Sequence, residues 1–264
     1  MLDDPKANRV RGVAKLNKKD ARSETGLFLL EGIQGLKEAL ERPKLIQEIF
    51  ATEAAIESHP ELFARATSSR IEVQSVTEPV LKVIADTQSP QGVVAVCRML
   101  DVSLADVIDQ KPRLIALLAN IRDPGNAGTV LRAADAAGAD AVIFSDNSVD
   151  VYNPKVVRST TGSLFHLPVV VGSSIAETIA AAKAAGFQVF AANGGGDSLP
   201  TLSQADLAKP TMWVFGNEAW GFEPETLELV DREVAVPIYG AAESLNLATA
   251  ASICLYATAF AQNA

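Results

Sequence analysis

The sequence predicts an α/β protein in two parts: a small α/β unit over residues 1–100, then a mostly parallel sheet with helices on both faces over residues 113–264. Three observations predict it. The chain has 264 residues, 48% of them hydrophobic, enough for two cores of ordinary size. Beyond residue 113, short apolar runs alternate with Ala-rich stretches of helical length, as strands buried on both faces and their crossover helices do. Between the parts lies residues 101–112, expected to be a linker carrying a short helix. No internal repeat or low-complexity segment interrupts this plan.

In the first part, residues 1–22 hold Lys6, Arg9, Arg11, Lys15, Lys18, Lys19 and Arg22 against Asp3, Asp4 and Asp20. Such a basic start is either a solvated terminus or a contact for a polyanion. Residues 28–32 read as a strand and residues 34–42 as a helix that Pro43 ends. A second strand is expected at residues 46–51, a helix carrying Leu62 and Phe63 at 60–66, and an alternating strand at 71–76. A short helix at 79–85, a turn-rich loop at 86–92 and a Val-rich strand at 92–99 close the unit. In the second part, strands are expected at 114–118, 141–144, 167–171, 188–192, 212–215 and 233–238.

Composition narrows the function. A net charge of −9 opposes indiscriminate nucleic-acid binding, because an acidic field repels phosphates and the attracting cations must then be concentrated in a few places. No apolar run approaches the roughly 20 residues of a membrane-spanning helix, and the opening Met1-Leu-Asp-Asp-Pro lacks a signal peptide's basic-then-apolar order. A cytoplasmic protein with no membrane partner is expected. Cys97 and Cys254 have no Cys or His neighbour at metal-ligand spacing, so they are expected to be buried, reduced core residues, and no metal is expected.

Ligands of parallel α/β sheets lie beyond the carboxyl ends of the strands, and three loops there are unusual. The first, Asn120-Ile-Arg-Asp-Pro-Gly-Asn-Ala-Gly-Thr-Val-Leu-Arg132, turns through Asp-Pro-Gly and offers Asn126 as a helix N-cap. Arg132 lies about one and a half turns further on, and helical side chains lean toward the N-terminus, so its guanidinium could reach the loop. The second, Phe215-Gly-Asn-Glu-Ala-Trp-Gly-Phe222, has two glycines that permit close approach of a ligand, and a carboxylate, Glu218, that needs a partner; Arg132 is the one expected. In the third, a strand empties through Gly240-Ala-Ala-Glu-Ser-Leu-Asn246 into a helix capped by Ser244 or Asn246. Taken alone, the first and third loops read as plain turns with a helix cap, and the second as a loop with an exposed charge.

Together, in this order and each after a strand, the Asn...Arg loop, the Phe-Gly-Asn-Glu-x-x-Gly loop and the Ser-Leu-Asn helix start resemble the three motifs of the SpoU (TrmH-like) family of RNA 2′-O-ribose methyltransferases, within the SPOUT superfamily. The resemblance spans residues 114–260, including Asn153-Pro-Lys-Val-Val-Arg-Ser-Thr-Thr-Gly-Ser-Leu-Phe-His-Leu-Pro168. Residues 11–98, with Phe28-Leu-Leu-Glu-Gly-Ile33 and Ser89-Pro-Gln-Gly92, are similar to the ribosomal-protein L30e-like substrate-binding domain that many members carry.

The resemblance implies a C-terminal trefoil knot, which sequence physics alone would not propose. It implies S-adenosylmethionine as methyl donor, held by Phe215, Gly216, Asn217, Ile238, Ser244, Leu245 and Leu247, partly through backbone groups. It further implies a homodimer in which one copy completes the site of the other. Onto the family's motif positions fall Asn126, Arg132, Glu218, Ser244 and Asn246. A free guanidinium is effectively never deprotonated, so Arg132 is expected to bind the RNA phosphate and polarise the ribose 2′-hydroxyl, with Ser244 or water assisting proton loss. Glu218 would orient Arg132, and Asn126 and Asn246 would hold the loops and the ribose. Arg9, Arg11, Lys18, Arg22, Lys155 and Arg158 are the expected RNA contacts. Ribosomal RNA, 23S in particular, is the expected substrate by family analogy, with transfer RNA the alternative.

Two rivals remain. Asn193-Gly-Gly-Gly-Asp197 follows a strand, as a dinucleotide-binding turn does, but its spacing is not Gly-x-Gly-x-x-Gly and Pro200 follows too soon for a long phosphate-capping helix. The other is an RNA-binding protein of the same fold without catalysis, against which all five motif residues stand intact.

Overall fold

The Val-rich run at residues 93–98 and the apolar runs before it assemble into one sheet in the computed structural model, which describes residues 1–264. Its strands β1 (Leu27–Glu31), β2 (Ile46–Ala51), β3 (Glu72–Ser75) and β4 (Val93–Arg98) lie in the order β1-β4-β2-β3. β4 is antiparallel to both β1 and β2, and β3 runs parallel to β2. With a strand on either side, β4 is buried at every residue but Arg98, which is why it reads as continuous Val rather than as an alternation. Thr52 caps an additional short helix, Glu53–Ser58, by accepting from the Ala55 N–H.

The basic start is not a loose terminus. It forms the helices Asn8–Ala14 and Lys19–Thr25, and Val10, Val13 and Leu16 recur every third residue to pack with Phe50, Val80, Leu81 and Ile84. Contacts also place residues 152–165 in this first unit. There Asn153 caps the helix Pro154–Thr160, the rings of Tyr152 and Phe165 lie 4.9 and 6.4 Å from Phe28, and Arg158 bonds both Glu31 and Asp86.

The second unit, residues 101–151 with 166–264, is built on six strands. These are β5 (Leu114–Leu118), β6 (Ala141–Ser145), β7 (Val169–Ser173), β8 (Gln188–Ser198), β9 (Thr211–Phe215) and β10 (Arg232–Ala235). Their order is β10-β8-β9-β5-β6-β7 and every pairing is parallel. The chain winds outward from β5 through β6 to β7, then returns to the other side for β8 and β9. The direction of winding therefore reverses between β5 and β9, which is where such sheets open a crevice at their carboxyl ends.

Residues 101–112 are not a free linker: they carry the helix Leu104–Asp109, closed by a Ser103–Asp106 capping box, and Val107 joins the second core. β8 outruns its expected end because β10 pairs first with Phe190 and Ala191 and then, after a register shift, with Asp197 and Ser198. The glycines fill this irregular edge. A Cβ on Gly196 would lie 2.3 Å from the Glu233 carbonyl carbon, so the Gly-rich run is a close-packed strand extension, followed by a single 3-10 turn rather than a phosphate-capping helix.

Candidate active site

The loops after β5, β9 and β10 meet at that crevice, and three side-chain amides and one carboxylate hold them together. After β5, Asn120 takes a left-handed conformation (φ 57°) and its N–H donates to Ser145 Oγ at 2.9 Å. The helix Pro124–Ala136 then begins, and its cap is Asp123 and not the expected Asn126: Asp123 Oδ1 accepts the Asn126 N–H at 2.7 Å. Proline is pre-shaped for the first helical position, so Pro124 sets the start one residue after Asp123. Relieved of capping, the Asn126 side chain donates through Nδ2 to Glu218 Oε1 at 3.3 Å and accepts through Oδ1 from Asn246 Nδ2 at 2.9 Å.

After β9 the chain folds into a tight hairpin in which Asn217 and Gly221 exchange backbone hydrogen bonds of 2.8 and 2.9 Å. Gly216 is required, because a Cβ there would sit 2.6 Å from the Gly221 carbonyl oxygen. The Asn217 side chain is buried and splits its two ends, donating to the Asn120 carbonyl at 2.6 Å and accepting from the Ala219 N–H at 2.8 Å. Glu218 accepts from the backbone N–H groups of Arg122 and Asp123, both at 3.2 Å, as well as from Asn126.

Arg132 is not the partner of Glu218. The carboxylate lies at the helix N-terminus, where unpaired N–H groups and the helix dipole already favour an anion, while Arg132 sits eight residues past Pro124, about 12 Å along the axis. Arg132 is exposed, makes no hydrogen bond or ion pair, and does not line the cleft of its own chain.

After β10, Asn246 rather than Ser244 caps the last helix, Leu247–Gln262, its Oδ1 accepting from Ala248 and Thr249. Glu218, Asn126 and Asn246 thus form one relay across the three loops. The cleft they border encloses about 430 Å³. Of the expected donor-binding residues, Gly216, Asn217, Ile238, Ser244, Leu245 and Leu247 line it. Phe215 does not: it is fully buried, its ring stacks with Trp213, and its carbonyl accepts from the Ala119 N–H.

Sequence reasoning missed Asn193, Gly194, Phe222, Val236 and Glu243, which also line the cleft. The position of Asn193 and Gly194 directly after the apolar part of β8 was the available signal. No Lys or Arg lines the cleft, whereas Glu218 and Glu243 do.

The expected RNA contacts divide in two. Arg11, Lys18 and Lys155 are exposed. Arg9 is held by Glu48 at 2.6 Å and Glu72 at 2.9 Å, and those carboxylates raise its pKa through hydrogen bonds. Arg158 is tied to Glu31 and Asp86, and Arg22 is buried with Nη1 donating to the Leu16 carbonyl. Arg22 is therefore a core residue rather than an RNA contact, because the amphipathic packing of the basic start turns its side chain inward. His59 is exposed, and His166 pairs with Asp135 at 2.8 Å; neither lines the cleft. Cys97 and Cys254 are buried and unpaired with each other. No group of three or more His, Cys, Asp or Glu is placed to hold a metal ion, and no helix is long and apolar enough to cross a membrane.

Comparison with known proteins agrees with this geometry. Residues 113–256 match the SpoU rRNA Methylase family, and residues 7–95 match the MRM3-like substrate binding domain. The chain is 35% identical over 257 residues to the 23S rRNA (guanosine(2553)-2′-O)-methyltransferase RlmP of Bacillus subtilis, covering 97% of each. It is similar to the structure of an AdoMet-bound rRNA methyltransferase from Sinorhizobium meliloti, with a TM-score of 0.85, 29% identity and coverage of 97% and 96%. The SpoU methyltransferase AviRb from Streptomyces viridochromogenes, in complex with AdoMet, gives a TM-score of 0.81 at 30% identity, covering 96% and 98%. With its motif loops joined around one cleft and its full length matched, the chain belongs to the SpoU rRNA methylase family.

Proposed function

We propose that the chain methylates a ribose 2′-hydroxyl of ribosomal RNA, in the 23S molecule, with S-adenosylmethionine as donor. The observation that carries this reading is the Glu218–Asn126–Asn246 relay, which fastens three family motifs around one cleft. The residues present fit the donor. Gly216 lets the hairpin at the cleft fold tightly, since a Cβ there would strike Gly221 and Phe222; Ile238, Leu245 and Leu247 offer apolar surface to a purine, and Glu243 offers a carboxylate to a cation. When bound, the donor supplies a methyl group on a sulfonium, which is already activated and needs in-line approach.

The chain's own residues then have to position and deprotonate the ribose. Asn126 and Asn246 align the loops, and Glu218 anchors Asn126 rather than Arg132. Ser244 lines the cleft and makes no protein hydrogen bond, so its Oγ is available to relay the ribose hydroxyl proton, accepting it while passing its own to water. Arg132 stays protonated and binds the phosphate beside the target ribose.

Arg132 meets the cleft of a second copy in this reading. It is exposed and unpaired on the helix Pro124–Ala136, against which the last helix packs, and that last helix leaves Ile253 and Phe260 exposed as an apolar face for a homodimer. The C-terminal trefoil knot, the L30e-like character of the first unit, its role in holding RNA through Arg11 and Lys18, and a cytoplasmic setting belong to the same proposal. They are supported by the full-length likeness to solved SpoU structures and by the substrate-binding match over residues 7–95.

The test is transfer of a labelled methyl group from S-adenosylmethionine to separated ribosomal and transfer RNAs from cells lacking this protein. Label at a ribose 2′-oxygen of 23S RNA, falling at least a hundredfold with Arg132→Ala, is expected. Label in transfer RNA alone would overturn the substrate, and unaltered transfer by Arg132→Ala would overturn the role of that residue.

A further inference from the structure

We propose that Trp220 and Tyr239 form an aromatic platform at the mouth of the cleft, on which unpaired nucleobases of the substrate RNA stack while the target ribose enters. The proposal rests on the methyltransferase reading for the identity of the RNA. Trp220 is 52% exposed and Tyr239 89% exposed, and neither makes a hydrogen bond or ring contact within the chain. The chain's other tryptophan, Trp213, is fully buried with its indole N–H bonded to Thr258, so exposure is a property of the site and not of the residue type.

Both rings are rooted in cleft-lining segments. Trp220 lies between Glu218 and Gly221, and Tyr239 follows Ile238. Holding large aromatic surface in water forfeits the free energy of burial, so a partner with a flat apolar face is the expected compensation. The local charge argues for a base rather than a phosphate as that partner. Within one chain the cleft is lined by two carboxylates and no cation, so apart from the phosphate that Arg132 of a second copy would take, the backbone gains nothing electrostatic at its mouth. Base stacking needs no positive charge and accepts any base, and single-stranded RNA presents bases splayed for it. Arg132 of a second copy and cations remote from the cleft would hold the backbone while the aromatic pair fixes the nucleotide.

Intrinsic fluorescence tests this directly, because Trp220 is the only tryptophan open to solvent. The full-length protein is titrated with a fragment of 23S RNA, and separately with S-adenosylmethionine alone. Stacking predicts quenching by the RNA that is absent in Trp220→Phe, about tenfold weaker RNA affinity for Trp220→Ala and for Tyr239→Ala, and recovery of most of it in Trp220→Phe. Donor affinity should stay unchanged in all three variants. Wild-type RNA affinity in both alanine variants would overturn the platform while leaving methyl transfer intact. Quenching that grows with protein concentration in the absence of RNA would overturn it in favour of contact with a second copy. Failure of the enzyme reading looks different: quenching and affinity loss as expected, with no methyl transferred to any RNA.

Discussion

Asn246 does two separable jobs with one side chain, and substitution can pull them apart. Its Oδ1 accepts from the Ala248 and Thr249 N–H groups at 2.9 and 3.3 Å, capping a 16-residue helix, and loss of such a cap costs about 1 kcal/mol. Its Nδ2 donates to Asn126 at 2.9 Å in an exposed setting, a bond that contributes about 0.5 kcal/mol. Asn246→Ala should therefore destabilise the second unit by about 1.5 kcal/mol. Asn246→Asp keeps an acceptor at the helix N-terminus, where a carboxylate is welcome, so its stability should stay within about 0.5 kcal/mol of the parent. It cannot donate to Asn126 Oδ1, however, and it leaves Asn126 between two carboxylates. Methyl transfer should fall about tenfold, the equivalent of about 1.4 kcal/mol of misalignment. Urea unfolding followed at Trp213, bonded to Thr258 of the same helix, measures the first quantity, and kcat/KM measures the second. An aspartate variant as active as the parent would refute the relay as an aligning device. An alanine variant of parental stability would refute the cap.

Two further outcomes follow from distances and burial. Gly216→Ala places a methyl 2.6 Å from the Gly221 carbonyl oxygen and 2.9 Å from its carbon, both backbone atoms, so the hairpin must open; isothermal titration should show at least tenfold weaker donor binding. Burial pushes the Cys254 thiol from 9.0 up to about 12 and pushes Cys97 up as well, so the folded chain keeps protons that the unfolded chain releases. Stability should be level below pH 9 and then fall, by about 1.4 kcal/mol per pH unit for each thiol, until the folded pKa is passed. Cys254→Ala should lessen that slope in urea midpoints measured across pH 8–11, and an identical slope would contradict it.

The strands were legible because both sheets bury them, and burial writes itself as apolar runs: residues 46–51 and 114–118 come out with the expected bounds. The basic start was not, because charge outnumbers the three apolar residues that face the core, and only tertiary packing turns Arg22 inward. At the site, the motif loops identified the cleft but not its wiring. Asp123 and Asn126 are both good caps, and which one caps depends on where Pro124 lets the helix begin. Pairing Glu218 with Arg132 of the first motif loop overlooked backbone N–H groups, which have no letter in the sequence. Asn193 was hidden for a related reason: β8 is extended by a register shift that depends on β10, 40 residues later.

The placement of residues 152–165 bears on how such a chain can be rearranged. β6 and β7 belong to one unit, yet the stretch joining them keeps its apolar partners in the other, with Phe165 and Tyr152 against Phe28 and Arg158 clasped by Glu31 and Asp86. Severing the peptide near residue 101 would not yield two self-sufficient halves. The C-terminal fragment would carry Val156, Val157, Leu164 and Phe165 into water, and the N-terminal fragment would lose the cover of Phe28. Transplanting either half onto another scaffold, in the laboratory or in evolution, requires that this insert be traded along with it or rewritten as a polar loop.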